Sequence, residues 1–173
     1  MSIFSLQKSL EILTRTPDVL DSMLRGISAD WAEVNDGGET WNPYDVVGHL
    51  IHGEKTDWIA RLDIMMFAYD KRFTPFDRFA QFEDSKGKSL ESLLAEFREL
   101  RRANLEKVKS LNLTAGDFKR TGIHPVFGEV TVQQLFATWV AHDLNHLAQI
   151  ARVMAKQYTE EVGPWREYLG ILQ

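Results

Sequence analysis

His142 and His146 stand four residues apart in the stretch TVQQLFATWVAHDLNHLAQIARVMAKQY, Thr131 to Tyr158. On a helix turning about 100° per residue, that spacing puts both imidazoles on one face and one turn apart, close enough to grip a single metal ion. A third imidazole, His49 in WNPYDVVGHLIHGE, falls on the expected core-facing side of another long helix. Helical bundles build metal sites from side chains on facing helices, so His49, His142 and His146 form a candidate ligand set. Three neutral imidazoles suit zinc, nickel, iron or copper and leave coordination positions open to water or substrate. The same spacing also serves three hydrogen-bonded histidines in a polar groove without any metal.

The elements that must carry these residues announce themselves by their caps. Thr131 is a natural N-cap, Gln134 completes a capping box, and Val130 with Leu135 would form the hydrophobic staple. Leu135, Trp139, His142, His146, Gln149 and Val153 then recur at steps of three and four, which places both histidines in the core-facing stripe. Asn42 caps the helix that bears His49: Pro43 suits its first turn, Asp45 favours the positive end of its dipole, and Trp41 can staple onto Val46. That helix is expected from Pro43 to about Ala68, with Val46, His49, Leu50, Gly53, Ala60 and Ile64 near one face.

Apolar residues at helical spacing predict a first helix from Ile3 to about Leu24, irregular where Thr16 precedes Pro17. A third long helix is expected from Ser89, a cap, to Leu111, its charges forming a solvated face. Between these lie a turn-rich stretch, 26–40, with a short helical piece around Trp31, and a long ordered connection, 69–89, whose phenylalanines pack over the bundle ends. Residues 112–130 read as a further loop, and Trp165 to Ile171 as a short closing helix after the Gly163-Pro164 break. Four long helical segments with hardly any alternating period specify an all-α fold, a four-helix bundle with long connections and a short C-terminal helix. Residues 1–173 are expected to be one domain.

Composition narrows the function classes. A formal charge of -5 and the absence of a long basic run argue against a nucleic-acid surface. No signal peptide and no membrane span are expected. The chain has no cysteine, which removes disulfides, thiolate zinc sites and a cysteine nucleophile, and fits a cytoplasmic protein.

Other polar residues near the histidines have ordinary explanations beside functional ones. His52 could be a fourth ligand, a partner to a ligand, or a surface residue; His124, in IHPVFGE, suits a loop or the rim of a site. Asp45 could orient a ligand imidazole or act only at the helix start, and Asp143 is placed to hydrogen-bond a neighbouring element. Asn145 and Gln149 are candidates for a cavity wall.

WNPYDVVGHLIHGE, the loop segment PFDRF and HPVFGEVTVQQLFATWVAHDLNHLAQIARV together resemble the DinB-like (DinB/YfiT) family of metal-binding four-helix bundles, over most of the chain. The family pattern has one ligand histidine on the second helix and an HxxxH pair on the last long helix, which correspond to His49, His142 and His146. The resemblance implies an up-down-down-up bundle with a divalent metal near one end, often within a homodimer. Relatives include enzymes that transfer or isomerise groups with low-molecular-weight thiols such as bacillithiol or mycothiol. The leading expectation is therefore a metal-dependent enzyme of thiol S-transferase type acting on a small molecule, with no catalytic residue beyond the metal ligands identified. With no cysteine in the chain, the thiol would arrive as a substrate or cofactor. The alternatives are a noncatalytic metal- or ligand-binding bundle in stress response and a metal-dependent hydrolase, for which no well-placed acid or base is visible in the sequence.

Overall fold

The computed structural model describes residues 4–173. The expected helix start at Ile3 lies outside the described residues. Helix α1 spans Leu6–Leu24 and opens on Ser5, whose side chain accepts from Lys8 N–H. It continues unbroken through Pro17, which removes one backbone donor, and the Leu13 carbonyl that donor would have served accepts instead from Arg101 Nη1 at 2.9 Å. A short helix, α2 (Ala29–Ala32), forms around Trp31 as expected.

The helix predicted over 43–68 is two helices, α3 (Pro43–Thr56) and α4 (Trp58–Phe67), hinged at Asp57 with φ -112° and ψ -71°. The Thr56 hydroxyl donates back to the His52 carbonyl at 2.8 Å, a bond that competes with the helix ladder and bends it. The hinge changes which face is buried. Beyond it Trp58, Leu62 and Met65 enter the core, whereas Ala60, expected inside, is exposed.

Helix α5 (Ala80–Ser85) lies within the long connection, and α6 (Leu90–Ser110) and α7 (Val132–Lys156) complete the bundle. Thr131 and Gln134 form the expected capping box on α7, and Asn42 forms one with Asp45 on α3. The stretch expected as a loop, 112–130, contains an antiparallel hairpin, β1 (Thr121–His124) and β2 (Gly128–Thr131). Its period-two signal is only four residues long in each strand, and it depends on long-range support: Ile123 N–H donates to Lys71 O and Phe73 N–H to Ile123 O. Gly122 permits that approach, because a Cβ there would lie 2.3 Å from the Phe73 ring. The closing segment is 3-10 turn at Gly163–Tyr168 and Gly170–Leu172 in place of an α-helix, with Trp165 exposed and Leu172 buried.

Cross-helix contacts fix the topology. Asp18 and Leu13 on α1 meet Arg98 and Arg101 on α6, so these two helices are antiparallel. Glu54 pairs with Asn104, and Asp63 with Lys107, so the α3–α4 unit runs parallel to α6. His49 and Glu54 meet His142 and Trp139, so α3 is antiparallel to α7. The result is the expected up-down-down-up bundle. Parallel second and third helices require the long connection between them.

Two apolar clusters fill the bundle, one around Leu13, Trp58, Leu62, Phe136 and Trp139 and the other around Leu20, Val47, Leu50, Phe97 and Ile150. Glu54, Arg101, Asp143, His142 and His146 fall between them along the helices, and His49 lies at the level of the second cluster. Among the described residues no helix is long and apolar enough to cross a membrane.

Candidate metal centre

The three histidines singled out by spacing converge. His142 Nε2 lies 3.0 Å from His49 Nε2 and 3.1 Å from His146 Nε2. One nitrogen from each ring can be chosen so that all lie within 4.8 Å of one another. Aromatic rings wall the cluster. Trp41 packs 4.8 Å from the His49 ring and stacks over His146, Trp58 meets His142 edge-on at 5.1 Å, and Phe76 covers both His49 and His52.

This enclosure keeps the rings uncharged. Burial lowers His49 and His142 to about 3, with repulsion from neighbouring imidazoles adding to it, and burial also lowers His146. His146 Nδ1 lies 2.8 Å from Gln149 Oε1, so a neutral His146 donates its proton there and turns the Nε2 lone pair inward. A proton on His142 Nε2 could serve both neighbours only as a bent three-centre bond, and buried His49 Nδ1 and His142 Nδ1 have no hydrogen-bond partner. A cation at the centre would accept all three inward lone pairs. Metal–nitrogen bonds of about 2.0–2.1 Å in tetrahedral geometry separate donors by about 3.3–3.4 Å, close to the spacing found here. The residues present therefore fit a divalent ion.

His52 is not part of the cluster. It is buried beside Phe76 with Nδ1 3.4 Å from Asp84 Oδ2, on the flank against α5. His124 sits on the hairpin, where Nδ1 accepts from the N–H groups of Val126 and Phe127 and the ring stacks on Phe127. It lines the cavity mouth. Asp45 serves the α3 cap, and its side chain forms no hydrogen bond to His49. Asn145, expected on the cavity wall, is exposed, while Gln149 does line the cavity.

Asp143 meets a neighbouring element, and that element corrects the reading of α6 as carrying only solvated charge. Arg101 on α6 is 1% exposed and donates to Asp143 Oδ2 at 2.6 Å and Oδ1 at 3.0 Å. It also donates to Glu54 Oε1 at 2.8 and 3.1 Å. Glu54 accepts further from Asn104 and from Trp139 Nε1. With the Leu13 carbonyl included, one guanidinium ties together α1, α3, α6 and α7, immediately beside the helix turns that carry the histidines. The signal was present in the sequence: Leu94, Phe97, Arg101, Leu105 and Val108 recur at steps of three and four, so Arg101 occupies an apolar stripe.

The histidines form part of the wall of a cavity of about 670 Å³ whose other walls include Trp41, Trp58, Phe76, Phe127 and Leu135. Asp57, at the hinge, lines the same cavity, and its carboxylate pairs with Arg61. Burial raises Asp57 above the ordinary carboxylate range, although Arg61 and His52 oppose the rise. Sequence reasoning missed Asp57 because its position depends on the bend.

The model of the DinB superfamily matches residues 12–150. The chain belongs to the DinB superfamily. No curated protein matches it. Among solved structures, this DinB-superfamily chain is similar to YfiT from Bacillus subtilis, described as a probable metal-dependent hydrolase with an unusual four-helix bundle topology. The TM-score is 0.76 over 91% of each chain at 21% sequence identity. At that identity the likeness establishes the shared bundle fold.

Proposed function

We propose that this protein is a metal-dependent enzyme acting on a small organic molecule, with His49, His142 and His146 holding one divalent ion. The observation that carries the reading is the approach of three uncharged Nε2 atoms, at 3.0 and 3.1 Å, in the wall of a cavity large enough for a substrate. A divalent ion held by three imidazoles supplies a Lewis acid that polarises a substrate oxygen or lowers the pKa of a bound water or thiol. The chain's own residues do the rest. Gln149 fixes the His146 tautomer, Trp41, Trp58 and Phe76 exclude bulk water, and the Arg101 network holds α3 and α7 in register.

Asp57 favours hydrolysis as the reaction class, because it offers a cavity-lining carboxylate to take and return a proton at Oδ. Its pairing with Arg61 keeps one oxygen engaged and orients the other. Group transfer with a low-molecular-weight thiol is the second reading. It is favoured by the cavity of about 670 Å³, which has room for a second small molecule beside the first.

Elemental analysis of the untagged protein, together with a helicity-checked His142→Ala/His146→Ala variant, tests the site. About one transition-metal equivalent per chain, lost in the folded variant, supports it. A wild-type protein that stays empty after incubation with zinc, nickel, iron and copper overturns the metal reading. With the metal-loaded protein, aryl esters in the presence and absence of bacillithiol or glutathione separate the two reaction classes. Hydrolysis without thiol that falls 10²-fold or more in Asp57→Asn, with loss of the acid limb of its pH profile, supports the first.

A further inference from the structure

Of the cationic side chains around the cavity, Arg61 is committed to Asp57. Arg78 is different. It lines the same cavity, and among the described residues no carboxylate lies within ion-pair distance of it. Its guanidinium carbon sits 4.9 Å from the Phe79 ring centroid and 5.9 Å from the Trp41 ring centroid. Trp41 is the ring that packs on His49 and stacks over His146. Arg78 is thus an exposed side chain lying over two aromatic rings, beside the histidine cluster, with its donors uncommitted. Glu39 stands on the same cavity rim but forms no ion pair with Arg78.

We infer that Arg78 is the anion-recognising residue of the cavity and that the substrate is a small carboxylate with an apolar, aryl-sized body. The inference rests on the function proposed above and names the substrate class for that site. A planar guanidinium forms two parallel hydrogen bonds to a carboxylate, and Arg78 offers such a pair of donors from its place over the Trp41 and Phe79 rings. One uncommitted guanidinium matches one carboxylate charge, whereas a phosphate dianion calls for a second cation, and Arg61 is already paired. The apolar body has its own surfaces in Trp58, Phe76, Phe127 and Leu135. A carboxylate anchored at Arg78 would direct the rest of the molecule along Trp41 toward the histidines, which is how a remote charge orients a reacting group.

The test uses matched pairs of probes that differ only in charge: phenylacetate and phenylacetamide, 3-phenylpropionate and 3-phenylpropionamide, phenyl phosphate as the dianionic competitor. Binding is measured by calorimetry and by chemical-shift changes of the Trp41 indole, on metal-free and on metal-loaded full-length protein. The metal-free arm removes direct carboxylate–metal attraction, so it reads Arg78 alone. At least one carboxylate is expected to bind about tenfold or more tightly than its amide, and that preference is expected to vanish in Arg78→Gln while amide binding is unchanged. Arg78→Lys should recover only part of it, because an ammonium does not offer the planar pair of donors.

Equal affinities for carboxylate and amide in metal-free wild type, an unchanged preference in Arg78→Gln, or tighter binding of phenyl phosphate than of every carboxylate would each overturn the inference. Metal content, measured in the same samples, separates this outcome from failure of the metal reading. Arg78→Gln should hold as much metal as wild type. If neither protein holds metal but the Arg78-dependent preference persists, the metal reading falls and the carboxylate subsite stands.

Discussion

Replacing Arg101 with methionine removes the only cation from a buried cluster that contains two carboxylates. Arg101 is 1% exposed, Glu54 3% and Asp143 0%, so neither acid can turn to water when the guanidinium is gone. The Leu13 carbonyl, already without a helical donor because of Pro17, loses its partner in the same step. Breaking a buried ion pair from one side costs about 3–5 kcal/mol, which is a fifth or more of the roughly 5–15 kcal/mol that stabilises a domain. Arg101→Met should therefore lower the unfolding free energy by about 3–5 kcal/mol near pH 7, read from guanidinium chloride denaturation as a lower midpoint.

The pH dependence gives a second and more specific reading. Burial already raises the Glu54 carboxyl above its ordinary range, with Arg101 and Asn104 opposing the rise. Without Arg101 the folded pKa climbs further above the unfolded one. Stabilisation from a raised carboxyl is complete below the unfolded pKa and is lost as pH rises through the folded pKa. The deficit of Arg101→Met relative to wild type should thus be largest near neutrality and shrink as the pH falls toward about 5. Combining it with Glu54→Gln and Asp143→Asn, which removes every charge from the layer, should recover part of the loss. A deficit below about 1 kcal/mol at neutral pH, or one that stays constant from neutrality to about pH 5, would refute the reasoning.

Three further perturbations test the supports of the site. Gln149→Leu removes the acceptor of His146 Nδ1–H and should weaken metal affinity about 10–100-fold in a competition titration, with the bundle's helicity unchanged. His52→Gln should leave metal stoichiometry at the wild-type level, since His52 faces Asp84 and lies outside the cluster; a lost equivalent would make it a ligand. Gly48→Ala places a Cβ 2.4 Å from Ser85 Oγ, where α5 crosses α3, and should lower stability by about 1–3 kcal/mol in a thermal melt. Unchanged stability there would mean that α5 can move aside at little cost, although the Tyr44 hydroxyl lies within hydrogen-bond reach of the carbonyls of Ser85 and Lys88.

The sequence by itself determined what depends on neighbours along the chain. The caps at Asn42, Ser89 and Thr131, the stripe from Leu135 to Val153 and the one-face spacing of His142 and His146 are all consequences of helix geometry within a few turns. His49 could be added because its place on the buried face of α3 follows from the same local rule. Tertiary structure decided everything that depends on what meets that face. Arg101, Glu54 and Asp143 each interrupt an apolar stripe on a different helix, but only packing shows that the three interruptions coincide and neutralise most of their charge. Asp57 enters the cavity because the chain bends there, and Arg78 becomes an uncommitted cation because the long connection lays it on Trp41. The hairpin from Thr121 to Thr131 is likewise held by Lys71 and Phe73, some fifty residues earlier. Periodicity is written in the chain because a helix repeats locally, whereas the burial of a charge or the aim of a loop is set by partners that the sequence keeps far apart.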